Sequence, residues 1–259
     1  MAPMDESGSA CQSFLDAGQY TVKSILKYEL VYGTNFVSPG GARYATRLIK
    51  KLDLPARARV LDVGCGLGGS AFLMAQDFGL DVDAIDLSEN MLALARERLA
   101  QTGLKKQVQL KNQDCLELCV RNYYDAIYSR DVFLHIHDKQ KLASNLYTAL
   151  KPLGKLLFTD YCCDDKPWQS DFSAYVENRG YHLCTVSDYR KLLEAAGFRI
   201  IEALDRTEDF IRFCKTELDT INSLDIAHSD RTSLKNDWLK KIERARASNQ
   251  RWGMFYASK

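Results

Sequence analysis

Val60-Leu61-Asp62-Val63-Gly64-Cys65-Gly66-Leu67-Gly68-Gly69 is the stretch from which the fold can be read. Its apolar start reads as a buried strand, and its glycines let the backbone turn sharply against a ligand. Ala71-Phe72-Leu73-Met74-Ala75 continues as a helix. A second strand, Val82-Asp83-Ala84-Ile85-Asp86, ends on a carboxylate, which suits the hydroxyls of a bound ribose. A dinucleotide-binding fold works by the same logic, so the glycines alone decide little. Two features depart from it. Asp62 stands directly before the loop, and the spacing is Gly-x-Gly-x-Gly-Gly instead of Gly-x-Gly-x-x-Gly/Ala.

Working outward, short apolar runs alternate with segments of helical periodicity. Strands are expected at 59–63, 82–86, 108–111, 124–128 and 155–161, and helices at 70–78, 88–101 and 139–150. Ser88 is a good N-cap, and Pro152 and Gly154 punctuate the end of the third helix. Repeated strand–helix units predict an α/β fold with a parallel sheet covered on both faces. From Cys162 the chain reads as a polar loop. A helix at 186–196, a strand at 199–202, amphipathic helices at 208–218 and 233–247, and a last strand at 251–257 follow. The helical stretch, about 205–249, is expected to form a lid over the strand ends. A helix at 20–32 would close the site from the other side, and residues 1–18 are expected to be a flexible tail.

The bounds are consistent with one domain over residues 19–259 and a core at about 45–161. A hydrophobic content of 46% supports a sizeable core. With 35 basic against 34 acidic residues there is no field to attract nucleic acid. No apolar run predicts a membrane span, and the acidic, small-residue N-terminus does not read as a secretion signal. The eight cysteines include no Cys-x-x-Cys pair, and the histidines add no zinc spacing. We therefore expect no metal, reduced thiols and a cytoplasmic, monomeric protein.

In such sheets ligands sit at the carboxyl ends of the strands. Gly64, Gly66, Asp86, Asp114 and Asp131 all fall there. Asp114 either receives an adenine amino group, with the Cys115 backbone beside it, or caps the next turn. Asp62 either satisfies backbone donors in the glycine loop or touches the ligand. The segment Tyr128-Ser129-Arg130-Asp131-Val132-Phe133-Leu134-His135-Ile136-His137 carries the catalytic expectation. If 131–135 begin a helix, Asp131 and His135 share a face, and the carboxylate can orient the imidazole as a base for an amine. The alternative is a structural histidine. His137 faces away on that spacing.

The strand ending Leu-Asp-Val-Gly-Cys-Gly-x-Gly resembles motif I of the S-adenosylmethionine-dependent methyltransferases. More specific strings are Gln19-Tyr20-Thr21, Tyr28-Glu29-Leu30-Val31-Tyr32-Gly33-Thr34-Asn35-Phe36-Val37-Ser38-Pro39-Gly40-Gly41, Tyr128-Ser129-Arg130-Asp131 with His135, Thr159-Asp160-Tyr161-Cys162, Arg179-Gly180-Tyr181 and Gln250-Arg251-Trp252-Gly253. Together they resemble the phosphoethanolamine N-methyltransferases, from about Gln19 to the C-terminus. The resemblance implies a Rossmann-like class I methyltransferase with a mostly parallel seven-stranded sheet, helices on both faces and a helical lid. It implies stepwise methylation of phosphoethanolamine to phosphocholine.

By the same resemblance, Gln19 and Tyr20 close the site, and Asp131, His135 and Tyr20 organise and deprotonate the amine. Tyr161, Arg179, Tyr181 and Lys241 hold the phosphate, with Lys240 an alternative to Lys241. Tyr28, Val37, Ser38, Gly64, Asp86, Leu87, Asp114, Cys115 and Arg130 hold S-adenosylmethionine. Many members carry two methyltransferase domains in tandem, whereas this sequence has one motif I. The competing functions are methylation of another small nucleophile (a sterol, quinone or amino acid) and a non-catalytic cofactor-binding protein.

Overall fold

The computed structural model describes residues 12–13 and 15–259. Seven strands form one sheet: β1 (Arg59–Val63), β2 (Asp81–Asp86), β3 (Val108–Asn112), β4 (Tyr124–Arg130), β5 (Leu150–Cys163), β6 (Arg199–Asp205) and β7 (Gln250–Ser258). Their order is β3-β2-β1-β4-β5-β7-β6. The first five strands pair in parallel, and β7 enters antiparallel between β5 and β6. This is the class I methyltransferase sheet that the resemblance implied. The order reverses between β1 and β4, which opens a crevice at their carboxyl ends.

Alternate residues of the central strands face opposite layers, as the two-residue strand period dictates. Val60, Ala126, Tyr128 and Leu157 join a core with Leu48, Phe72, Phe210, Trp238 and Trp252. Leu61, Ile127, Leu156 and Phe158 join a second core with Leu142, Tyr189 and Phe255 on the other face. Trp238 and Trp252 are fully buried, and burying a large apolar side chain contributes about 1.5–3 kcal/mol.

The helices are α1 (Val22–Tyr32), α2 (Gly41–Leu52), α3 (Gly69–Phe78), α4 (Glu89–Ala100), α5 (Lys139–Ala149), α6 (Ser170–Arg179), α7 (Val186–Ala195), α8 (Thr207–Ser223) and α9 (His228–Arg246). The oxygens of Thr21, Ser88 and Thr185 cap α1, α4 and α7. Two helices exceed the sequence expectation. Helix α2 buries Tyr44, Ala45, Leu48, Ile49 and Leu52, a helical repeat. Helix α6 lies where a loop was expected, because it buries only Phe172 and Val176.

Strand β5 starts at Leu150, directly after α5. Tyr124 pairs with Leu150 and Ala126 with Lys155, so the Pro152–Gly154 stretch forms an irregularity inside the strand. The expected tail falls partly on residues 1–11 and 14, outside the described residues. From Leu15 the chain is placed: Leu15–Gln19 is a π-helical turn with Leu15 buried, and the Asp16 carboxylate accepts from Ser88 Oγ and the Glu89 amide. Helices α8 and α9 lie between β6 and β7, in the stretch expected to be helical.

Candidate active site

One cavity of about 1200 Å³ opens at the carboxyl ends of β1, β2 and β4, between α1 and α9. The β1 loop builds its floor. Gly64 sits at φ +70°, and a Cβ there would lie 2.1 Å from Val132 Cγ2, so no side chain fits. The amides of Gly64 and Cys65 donate to Ile85 O at 2.8 and 3.0 Å, tying the loop to β2. Asp86 closes the turn from the other side, accepting from Gly66 N at 2.7 Å and Ser88 N at 2.8 Å. Burial raises its pKa, and the amides of Ser88, Gly66 and Leu87 oppose that rise.

Asp114 caps the turn Cys115–Glu117 by accepting from Leu116 N at 2.8 Å, and it also lines the cavity. Both of its expected roles are therefore open to it at once. Asp62 is buried with Oδ2 unpaired, facing the same space, and burial with the nearby Asp86 charge pushes its pKa up to about 7. A buried carboxylate oxygen without a hydrogen-bond partner favours a cationic or hydrogen-donating ligand. Asp131 Oδ2 and Arg130 Nε are likewise buried on the cavity wall without a hydrogen-bond partner, and Arg130 Nη2 lies 3.9 Å from Asp131 Oδ2. This set of two carboxylates, a guanidinium and a ribose-type acid fits a ligand carrying a sulfonium, an amino-acid end and a nucleoside. The rest of the Arg130 guanidinium donates to Pro39 O and Gly41 O, anchoring the loop that bears Val37 and Ser38.

The opposite end of the cavity is aromatic and cationic. Arg179 hydrogen-bonds Tyr28. Burial works against its charge, but Tyr181, Tyr28 and Tyr175 outweigh that and keep it firmly protonated. Lys241 Nζ donates to Tyr32 OH at 2.8 Å and lies 3.7 Å above the Trp238 ring. Lys240 is exposed, so Lys241 is the lysine that lines the site. Burial raises the pKa of Tyr161 and Tyr181, which keeps their hydroxyls protonated as donors. Tyr175, absent from the sequence expectations, lines this end with Arg244 stacked 3.8 Å from its ring centre. Its only signal in sequence is position, four residues before Arg179 on a helix that was read as loop.

A hydrogen-bonded chain joins the aromatic end to His135. Gln19 Nε2 donates to Tyr181 OH at 3.1 Å and to Tyr20 OH at 3.3 Å, and Tyr20 OH meets His135 Nε2 at 3.0 Å. Burial, followed by the charges of Lys139, Arg179 and His182, lowers the pKa of His135 from 6.5 to about 3. Its imidazole is therefore neutral, with a lone pair available.

Two expectations need correction. Asp131 does not start a helix: it adopts φ +57°, and Phe133–His135 is a tight 3-10 turn. The Asp131 Oδ1 atom accepts from Trp252 Nε1 at 2.7 Å and Thr159 Oγ1 at 3.1 Å. Among the described residues no hydrogen bond joins Asp131 to His135, so Tyr20, not Asp131, sets the imidazole. His137 does not face away either, because the turn has a shorter period than an α-helix. It lines the cavity with its ring centre 4.9 Å from that of His182. All the other residues expected for the site, including Leu87 and Cys115, line this one cavity.

Residues 40–203 match the family model described as a methyltransferase domain. Phosphoethanolamine N-methyltransferase 3 of Arabidopsis thaliana is 42% identical over 255 residues, which is 96% of this chain and 52% of that protein. The chain thus spans about half the length of that plant relative. Phosphoethanolamine N-methyltransferase of Plasmodium falciparum (isolate 3D7) is 32% identical over 98% of both chains. Phosphoethanolamine N-methyltransferase 2 of Haemonchus contortus, solved with phosphomonomethylethanolamine and S-adenosylhomocysteine, superposes with a TM-score of 0.92. It is 33% identical, over 96% of this chain and 60% of that one. With a full-length match of this kind beside the shared sheet and loop, the chain belongs to the phosphoethanolamine N-methyltransferase family.

Proposed function

We propose that this chain catalyses the S-adenosylmethionine-dependent N-methylation of phosphoethanolamine and its mono- and dimethyl forms, toward phosphocholine. The observation that carries the reading is the hydrogen-bonded chain from Tyr181 through Gln19 and Tyr20 to His135. It sets a neutral imidazole beside a cationic, tyrosine-lined pocket, with the His135 and Tyr181 ring centres 5.2 Å apart. Bound S-adenosylmethionine supplies an electrophilic methyl group on a positively charged sulfur, which leaves with the electron pair of the broken bond.

The protein's own residues do the rest. Arg179, Lys241 and the hydroxyls of Tyr161, Tyr175 and Tyr181 receive the phosphate through charge-assisted hydrogen bonds. Asp131 Oδ2, which has no hydrogen-bond partner in the protein, accepts an N–H of the amine and aims its nitrogen. Tyr20 accepts the departing proton as its own moves to His135 Nε2, and so frees the nitrogen lone pair. The gating segment, Leu15–Gln19 with α1, excludes water while this happens. His135 does not keep the proton but passes it on, because its surroundings favour the neutral ring. We place the reaction in the cytoplasm, carried by a monomer, since a water-soluble phosphobase needs no membrane seat. Among the described residues no helix is long and apolar enough to cross a membrane.

The phosphate assignment is tested by Arg179→Ala. Arg179 serves the dianion in ground and transition states alike, so the Michaelis constant for phosphoethanolamine should rise far more than that for S-adenosylmethionine. An equal rise for both would make Arg179 a structural residue and would remove the phosphate pocket from the account. Ethanolamine, lacking the phosphate, should be a very poor substrate for the parent.

The cofactor end is tested by Asp86→Ala. Charge-assisted hydrogen bonds contribute about 1.5–3 kcal/mol each, so S-adenosylmethionine should bind about 2 kcal/mol more weakly. The loss includes loosening of the glycine loop at Gly66 N. Calorimetry on a folded variant with unchanged affinity would move the ribose away from Asp86.

A further inference from the structure

The turn that carries His135 is held from behind by two buried charged side chains that touch neither end of the cavity. Lys139, at 6% exposure, donates from Nζ to Phe133 O at 2.6 Å and to Ile136 O at 2.8 Å, the residues on either side of Leu134-His135. Asp160, fully buried on β5, accepts the Leu134 amide on Oδ1 at 3.1 Å and the Tyr189 hydroxyl on Oδ2 at 2.5 Å. His182 N donates to Leu134 O at 2.7 Å, closing the remaining side. We propose that Lys139 and Asp160 are positioning residues for His135: they clamp the turn that bears the imidazole.

The reasoning is physical. Stability alone is served as well by apolar side chains as by buried charges, whose desolvation is costly. Here Lys139 and one oxygen of Asp160 are spent on the backbone of a single turn, with Tyr189 holding the other Asp160 oxygen, which fixes the ring in one place. A base held to within a fraction of an ångström is worth more than one on a loose loop. The cation also acts at a distance. After burial, Lys139 is the largest influence lowering the His135 pKa, ahead of Arg179 and His182. The other groups facing the ring are Tyr20, from the segment before α1, and Tyr181, after α6. The site acid Asp131 is bonded to Trp252 and Thr159 instead. Asp160 in turn offsets the cost of burying Lys139, whose pKa burial lowers and Asp160 raises.

This inference rests on the base role given to His135 above, and the test separates the two. Nitrogen-15 and proton NMR of the histidine rings in the ligand-free protein reads the ring directly, without activity. In the parent, His135 should show one neutral tautomer and stay uncharged down to about pH 5, below the usual histidine range. In Lys139→Met the midpoint should rise by about one pH unit or more, and the tautomers should mix. Turnover should fall by about tenfold or more while the dissociation constant for S-adenosylmethionine stays within about twofold. Lys139→Arg, which keeps the cation and its donors, should stay close to the parent.

A parent His135 that titrates near pH 6.5 would overturn the proposal with no variant needed, as would a folded Lys139→Met with the parent's ring behaviour and turnover. A neutral, single-tautomer ring in a parent that does not methylate phosphoethanolamine would sink the function and leave the positioning intact.

Discussion

His135→Ala should lower the turnover number at neutral pH by about 10²–10⁴-fold, the usual cost of losing a general base, with S-adenosylmethionine affinity nearly unchanged. The amine of the proposed substrate resembles a lysine, with a pKa of about 10, and arrives protonated. Removing its proton is therefore an obligatory step, and the chain Tyr20–His135 is the route the site offers. Raising the assay pH supplies neutral amine and should recover part of the lost rate. In the parent, the imidazole should contribute no acid limb near pH 6.5, because the folded protein holds it down to about 3.

The same shift acts on stability. The unfolded chain takes up a proton at His135 below pH 6.5 that the folded protein refuses. The contribution is intact above 6.5 and is lost as pH falls toward 3. His135→Gln should therefore lose less stability than the parent over that window, read by denaturant melts at several pH values. Wild-type turnover in His135→Ala at neutral pH would remove the base. Lost cofactor binding would make His135 structural.

Asp131→Asn should bring the second large loss, concentrated in kcat/KM for the phosphobase. The Oδ1 contacts to Trp252 and Thr159 can survive in an asparagine, but the group at Oδ2 becomes a donor facing the N–H groups of the amine. Hydrogen bonds to charged groups contribute about 1.5–3 kcal/mol, which corresponds to roughly 10–150-fold. The penalty should shrink with each methyl group already on nitrogen. A dimethyl amine that has given up its proton has no N–H left to offer. Equal losses for phosphoethanolamine and its dimethyl form, measured with purified substrates, would show that Asp131 holds the protein and not the amine.

Much of this was legible in the sequence because local rules and the final structure agree. The strand at 59–63 and its glycines dictate one turn geometry, and Asp86 at the end of β2 follows from it. The cap at Ser88 is local too. What failed depended on tertiary contacts. The Asp131–His135 pair was drawn on a helical wheel. The backbone at Asp131 instead turns left-handed, held by Trp252 from a strand 121 residues away in sequence. Helix α6 has too few apolar residues to declare itself and buries only one face against Trp168 and Tyr181. Tyr175 was missed with it. Lys139 and Asp160 carry no motif; they matter because a turn and a strand meet behind the imidazole.

The most direct test is mass spectrometry of the products formed from phosphoethanolamine and S-adenosylmethionine bearing a carbon-13 methyl group. The account predicts labelled phosphobase, one methyl group at a time on nitrogen, with one equivalent of S-adenosylhomocysteine for each transfer and no product from ethanolamine. A folded, S-adenosylmethionine-binding protein that transfers no label to phosphoethanolamine or to its mono- and dimethyl forms would contradict it.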